Sequence, residues 1–557
     1  MGLYIFTTVN FNKKVTARAW ENAWQESLHL LRQFPAPLVR IKWEEVEGHQ
    51  RIVFTRQVVD KPGTPDEQWH VVGDALSKKR AESFILHRHR AACLPDRAAY
   101  SKDRDVLWAD EDSLSYIDCN GYGVFNSKTQ GYPFHLAILA VGMLLESRFP
   151  GSACVNGDIE LRQAEWMQTW ANSHLDEPLE LPVCFDPDRL WHRLHAAYSG
   201  NDELALKRFG TLFKGSEEER MEALFRLVGR DTVMKEWSEM VAGYEDLNTW
   251  GVSNLVRQLV NVTGDVKGAV EAVWKVKKQK RKEKFTLEDL LALLCRSLLT
   301  IDFPEREALR SLYRQEGQLQ TIEGVFGQLF AKMSGMPDEV NTYMPADQLL
   351  DLFAGFEPEK KAAFGRIIEE KTKQYREQLA KIEQTLNDIE EAVVANSSAK
   401  QQGEQSDKSE GTPMPSVPPA LPVRSFSEAE KYILRQVRAQ QTLFEGEEET
   451  VRNLAQQLHQ AIREASGNSC SVFSINDLQE LRFAIWDASH QSGFALHEEA
   501  WAAIDALRDK MVLKCLLGLA SVENNEMNFW RWRLHIMESP RLWSFFSQTP
   551  QIAEGGQ

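Results

Sequence analysis

At 557 residues the chain is too long for one hydrophobic core, and about 100–200 residues per domain makes it three or four units. A formal net charge of −16 works against non-specific binding of nucleic acid or anionic membrane by the surface as a whole. With 43% hydrophobic and 26% charged residues the composition is that of an ordinary globular protein.

The start, Met1-Gly-Leu-Tyr-Ile-Phe6, has no basic region ahead of an apolar stretch, so it does not read as a secretory signal. Phe6 also stands where a myristoylation signal needs Ser or Thr. The seven cysteines are odd in number, scattered and without zinc-type spacing, which predicts reduced thiols in the cytoplasm rather than a disulfide frame. No metal, cofactor or membrane partner is expected.

Residues 1–198 read as a mixed α/β domain. Leu3–Phe11 and Arg51–Val59 are rich in β-branched and aromatic residues and predict strands. Between them Trp20, Trp24, Leu28 and Leu31 fall at helical spacing over Ala19–Phe34. Gln68–Val72 predicts a further short strand. Ser77–Arg90, with Lys78, Lys79, Arg80, Arg88 and Arg90, reads as a solvated helix face in preference to a phosphate site. Asn120-Gly121 after Cys119 predicts a hairpin between Ser113–Asp118 and Tyr122–Phe125.

Tyr132–Arg148 is the most legible element. Pro133 suits a first helical turn, and Phe134–Leu145 is apolar on every side except for His135. A helix without a polar face has to be wrapped all round, and this one is too short for a bilayer, which needs roughly 20 apolar residues. It is predicted at the centre of the domain, over 133–149. Asp158 is placed to cap a helix carrying Leu161, Ala164, Trp166, Trp170 and Ala171. Leu179, Leu181, Val183 and Phe185 alternate like a half-buried strand, and Asp186-Pro187 opens a helix running to Tyr198.

From 201 to 358 strand signals fade and a helical domain is predicted, with a capping box at Ser216–Glu219 and a leucine-dense run at Leu287–Leu299. Ile368, Thr372, Tyr375, Leu379, Ile382, Leu386, Ile389 and Val393 form a heptad seam within 361–395. Residues 368–393 therefore offer a route to a homo-oligomer, with fold-back on the helical domain preferred. Residues 396–426 are rich in Ser, Gln, Gly and Pro and predict a disordered linker. Beyond it a carboxy-terminal helical bundle is predicted over 427–550, with a second capping box at Ser427–Glu430 and helices at Ser427–Ala439, Glu447–Glu464 and Glu498–Leu519. The fold class is α+β multidomain: a mixed sheet domain, a helical array, a heptad helix and a small bundle.

Three groups of residues carry candidate chemistry. A thiol enzyme needs a thiolate, an imidazole to take its proton and a group to orient the ring, and Cys119, His135, Cys154 and Asp158 supply those types around the central helix. The plainer reading is a buried thiol and a hydrogen-bonded core histidine. Lys275, Lys277, Lys278, Lys280, Arg281, Lys282 and Lys284 are the densest basic run, suited to phosphates or to an acidic partner, with Trp274 and Phe285 placed to stack on bases. The plainer reading is a solvated helix end. Trp530, Arg531, Trp532 and Arg533 interleave indoles with cations and suit a protein partner, although a helix packing its indoles inward is the preferred reading. No P-loop, Rossmann glycine pattern, His-Glu-x-x-His helix, nucleophile elbow or kinase signature is present. The sequence therefore points to a cytoplasmic interaction subunit with protein partners, in a setting such as a bacterial defence or toxin-neutralising complex. A nucleic-acid-binding subunit and a thiol enzyme are the competing readings.

Overall fold

The computed structural model describes residues 3–93, 103–113, 120–276 except 245 and 248, 283–299, 344–377 except 375, 426–465 except 442, 443 and 445, 471–522 and 527–547. The protein is of α+β class, with a mixed-sheet domain first and helices after it. It divides into two units, residues 1–214 with 424–557, and residues 215–423.

In chain order the first stretch forms β1 (Tyr4–Val9), α1 (Ala17–Gln33), β2 (Leu38–Val46), β3 (His49–Thr55), β4 (Val59–Asp60), β5 (Gln68–Asp74), β6 (Arg80–His87) and β7 (Tyr122–Lys128). There follow α2 (His135–Arg148), β8 (Ala153–Gly157), α3 (Leu161–Asn172), α4 (Pro187–Ala197) and α5 (Asp202–Leu212). β1 lies between β7 and β8 in a small antiparallel sheet. The central helix α2 lies on that sheet, and every residue from His135 to Glu146 is buried. Gly142 permits the close approach, since a Cβ there would stand 2.5 Å from Val155 Cγ2 and 2.9 Å from Thr7 Oγ1.

Glu146 is the one carboxylate in this apolar helix. Its two oxygens accept the backbone N–H groups of Val155 at 2.8 Å and Val183 at 2.6 Å. This explains why 179–185 is not the strand its alternation suggested. Its backbone is satisfied by side chains instead of a ladder: Leu179 N–H donates to Asn172 Oδ1 and Glu180 N–H to Ser147 Oγ, and only a single 3-10 turn, Val183–Phe185, forms. Residues 182–185 are all buried, so the alternation of residue types is not an alternation of exposure.

A second correction concerns Ser77–Arg90. Residues 80–87 are strand β6, antiparallel to β5, and Phe84 and Leu86 point into the core. The period of two at 84 and 86 outweighs the cations around it. Asp158 does not cap α3 either; its carboxylate accepts the Tyr4 N–H at 2.8 Å, and α3 starts after Glu160 without a side-chain cap. Asp186 does cap α4, through the Arg189 N–H, with Pro187 in the first turn.

Residues 215–423 are helical where described: α6 (Glu217–Leu227), α7 (Arg230–Ala242), α8 (Trp250–Thr263), α9 (Val266–Lys275), α10 (Leu287–Leu298), α11 (Ala346–Ala354) and a helix over 361–374. Ser216 and Glu219 form the capping box of α6, and Thr286 caps α10. Of the heptad seam, Ile368 is buried and Thr372 half-buried; Tyr375 and the positions from Leu379 onward lie outside the described residues, as do 396–425.

The chain then returns to the first unit as α12 (Glu428–Gln440), α13 (Glu447–Ala465), α14 (Leu478–Gln491), β9 (Leu496–His497), α15 (Glu498–Ala506), α16 (Lys510–Ser521) and α17 (Met527–Met537). These helices form the carboxy-terminal bundle, with a core of their own from Val451 to Phe546, and share one compact unit with residues 1–214. β9 joins β3 in parallel, with Val53 opposite Leu496 and Phe54 opposite His497. α12 packs on α3, where Trp166 and Tyr432 stack at 5.2 Å, and Ile433 enters the main core. The Trp501 indole N–H donates to the Ile52 carbonyl at 3.1 Å. The helix expected over Glu498–Leu519 is broken, because Asp509 caps α16 through the N–H groups of Met511 and Val512. No helix among the described residues is long and apolar enough to cross a membrane.

Candidate functional site

His135 and Cys154 are not brought together. Gly142 of α2 faces Val155, so the neighbouring residue Cys154 points to the other side of the small sheet, away from the helix that carries His135. The His135 Nδ1 hydrogen-bonds with Thr129 Oγ1 at 2.7 Å. Burial drives its imidazole down to about 4, against the smaller opposing effects of Gln163 and Asp158, so the ring is neutral near pH 7. Asp158 is occupied by the Tyr4 N–H, and Cys119 lies outside the described residues. Cys93, Cys295 and Cys515 are buried thiols pushed up to about 12, chiefly by desolvation, which is the reverse of nucleophile activation. Among the described residues no three His, Cys, Asp or Glu side chains group as a metal site requires.

The basic run begins at the carboxy end of α9. Lys275 is exposed and pairs with Glu271, one turn back, at 3.6 Å. Lys277, Lys278, Lys280, Arg281 and Lys282 lie outside the described residues, while Lys284 is described and exposed. The two aromatic residues bracketing the run are turned into the helical unit. Phe285 is 1% exposed, and Trp274 packs edge-on to Phe356 at 5.7 Å. Phe285 is closed to a stacking base, while Trp274 is half-buried.

The third group, on α17, divides by side chain. Arg533 is 1% exposed, with its guanidinium 5.7, 4.8 and 4.5 Å from the ring centres of Phe494, Phe529 and Trp530. It also donates to the Val522 carbonyl. Trp530 packs on Phe494, and Trp532 meets Phe444 at 4.7 Å. Arg531 alone of the four is exposed, and its charge reaches Lys79.

Immediately after α17 lies a polar seam that no sequence pattern announced. The Glu538 side chain is 4% exposed and is met by Arg80 at 3.0 Å and Lys78 at 3.5 Å. The His497 N–H adds a third contact at 3.2 Å. Burial acts to raise the Glu538 carboxyl, but Arg80 and Lys78 outweigh it and hold the group below the ordinary carboxylate range. Arg80 itself lies over the Phe54 ring at 3.7 Å. Next to this seam, Glu447 accepts from Arg541 at 2.7 Å and pairs with His535. Two cations of 77–90, Lys78 and Arg80, thus bind the carboxy-terminal stretch of their own chain. No protein family, curated protein or solved structure matches this chain.

Proposed function

We propose that the protein is a cytoplasmic interaction subunit in which the first unit is the framework and residues 215–423 carry the surface for an acidic protein partner, centred on 275–284. The observation that supports this most directly is the burial of Phe285 beside the exposed Lys284. It removes one of the two bracketing rings on which bases would stack, and the exposed Lys275 and Lys284 that remain suit carboxylates. The chain path agrees, since it leaves the first unit after Lys214 and re-enters it at Arg424, so the helical unit is an insertion held at both ends. The net charge of −16 opposes polyanions in the same direction.

The test is the variant Lys277→Glu, Lys278→Glu, Arg281→Glu and Lys282→Glu in the full chain. Proteins that co-purify with the wild type should be lost from it, and neither protein should bind RNA or DNA at about 0.15 M salt. Wild-type binding to RNA or DNA at that salt, abolished in the variant, would replace this reading with the nucleic-acid one.

A further inference from the structure

The first unit carries a cleft of about 310 Å³ between α1 and the β3–β4 connection, remote in sequence from every candidate above. Trp24, Leu28, Val58, Val59 and Pro62 supply apolar walls, and Gln25, Arg32, Arg56 and Gln57 supply polar ends. With Glu67 the lining is half apolar and half polar, a mixture that can hold an apolar group and orient it by its polar end.

The walls are fixed before any ligand arrives. Arg40 donates Nε to the Gln57 carbonyl at 2.7 Å and pairs with Asp60 at 3.1 Å, which pins the β3–β4 connection. The Trp24 indole donates to the Leu86 carbonyl at 2.8 Å. Glu67 is the only carboxylate in the lining, and it is already taken by the Gly63 N–H at 3.0 Å and Arg88 at 2.9 Å. The Arg32 guanidinium and the side-chain amides of Gln25 and Gln57, by contrast, are engaged with no described residue. Arg56 has one exposed partner, Glu499, at 3.4 Å.

From this geometry we infer that the cleft binds the carboxy-terminal residue of a peptide ending in an aliphatic side chain. The aliphatic group fills the space between Trp24, Leu28 and Val58. The α-carboxylate takes Arg32 and competes with Glu499 for Arg56. The two amides match the N–H and C=O of the last peptide bond, which a simple carboxylic acid lacks. This goes beyond the interaction reading and rests on the first unit alone.

The experiment is calorimetric titration of the full chain with N-acetyl-Gly-Gly-Leu, with its carboxy-terminal amide and with 4-methylpentanoate. The acid peptide should bind, the amide at least about tenfold more weakly, as loss of a charge-assisted hydrogen bond requires. Arg32→Gln should weaken the acid peptide by about the same factor with an unchanged melting midpoint, since Arg32 is exposed. Glu499→Gln should tighten it severalfold by releasing Arg56. No detectable peptide binding, equal binding of acid and amide, or an Arg32→Gln protein that binds as the wild type does would each overturn the inference. Equal binding of 4-methylpentanoate would overturn the peptide assignment.

Discussion

Residues 77–90 and residues 275–284 look alike as sequence, two basic stretches in an acidic chain. In the first, the cations are committed within the molecule. Lys78 and Arg80 meet Glu538, Arg88 joins Glu21 and Glu67, and Arg90 donates to the Phe11 carbonyl. In the second, the described cations Lys275 and Lys284 are exposed, and Lys275 has only a neighbour one helical turn away. An exposed pair of that kind contributes about 0.3–0.5 kcal/mol, whereas breaking a buried one costs about 3–5 kcal/mol. A run of like charge therefore carries no fixed meaning. What decides it is whether the residues between the cations anchor them to a sheet, as Phe84 and Leu86 do, and whether a buried carboxylate waits opposite.

The comparison can be broken at several strengths. The severest case is a buried charge with no partner at all. Leu139→Asp, in the wholly buried part of α2, should give no soluble folded protein, because nothing there plays the part that the Val155 and Val183 N–H groups play for Glu146. A cooperative urea transition in that variant would refute the burial argument. Next, Arg80→Met leaves buried Glu538 with Lys78 at 3.5 Å and the His497 N–H at 3.2 Å, and should cost about 3 kcal/mol by chemical denaturation.

The third case uses pH. His135 binds its proton near 6.5 when unfolded and only near 4 when folded, so below 6.5 the unfolded state takes up protons that the native state refuses. Its contribution is fully present above 6.5 and is lost as pH falls toward 4. The stability of the wild type relative to His135→Gln should therefore drop by about 3 kcal/mol across that window. Identical pH profiles for the two proteins would contradict the neutral, buried ring. The smallest effect belongs to the second basic stretch: the quadruple Glu variant at 277, 278, 281 and 282 should change stability by no more than about 0.5 kcal/mol.

The parts of the fold that were legible in the sequence are those set by local physics. An apolar helix without a polar face, the capping boxes at Ser216 and Ser427, and Asp186 before Pro187 each encode their structure within one or two turns of chain. What was not legible depends on partners far away. β9 is two residues long and is a strand only because β3 lies beside it. Glu538 reads as an ordinary surface carboxylate until Arg80 is placed against it. The alternation of residue types at 179–185 is not kept in the fold, where 182–185 are all buried and side chains of Asn172, Ser147 and Glu146 take the backbone N–H groups. The cleft escaped notice for a similar reason. Arg32 in the last turn of α1 looks like a routine partner for the helix dipole, and Arg56-Gln57 fall inside the strand predicted over Arg51–Val59, where the chain in fact leaves β3 after Thr55. Only the tertiary fold sets them around Trp24 and Leu28.

Cations of the first basic stretch neutralise Glu538 and so tie the carboxy-terminal helices to the first domain. A double-mutant cycle on Arg80→Met and Glu538→Leu, read by denaturation of the full chain, tests it most directly. The account predicts a coupling of about 2 kcal/mol or more, with the double variant more stable than Arg80→Met alone, because the unpaired buried charge is gone. Additive effects of the two substitutions would contradict it.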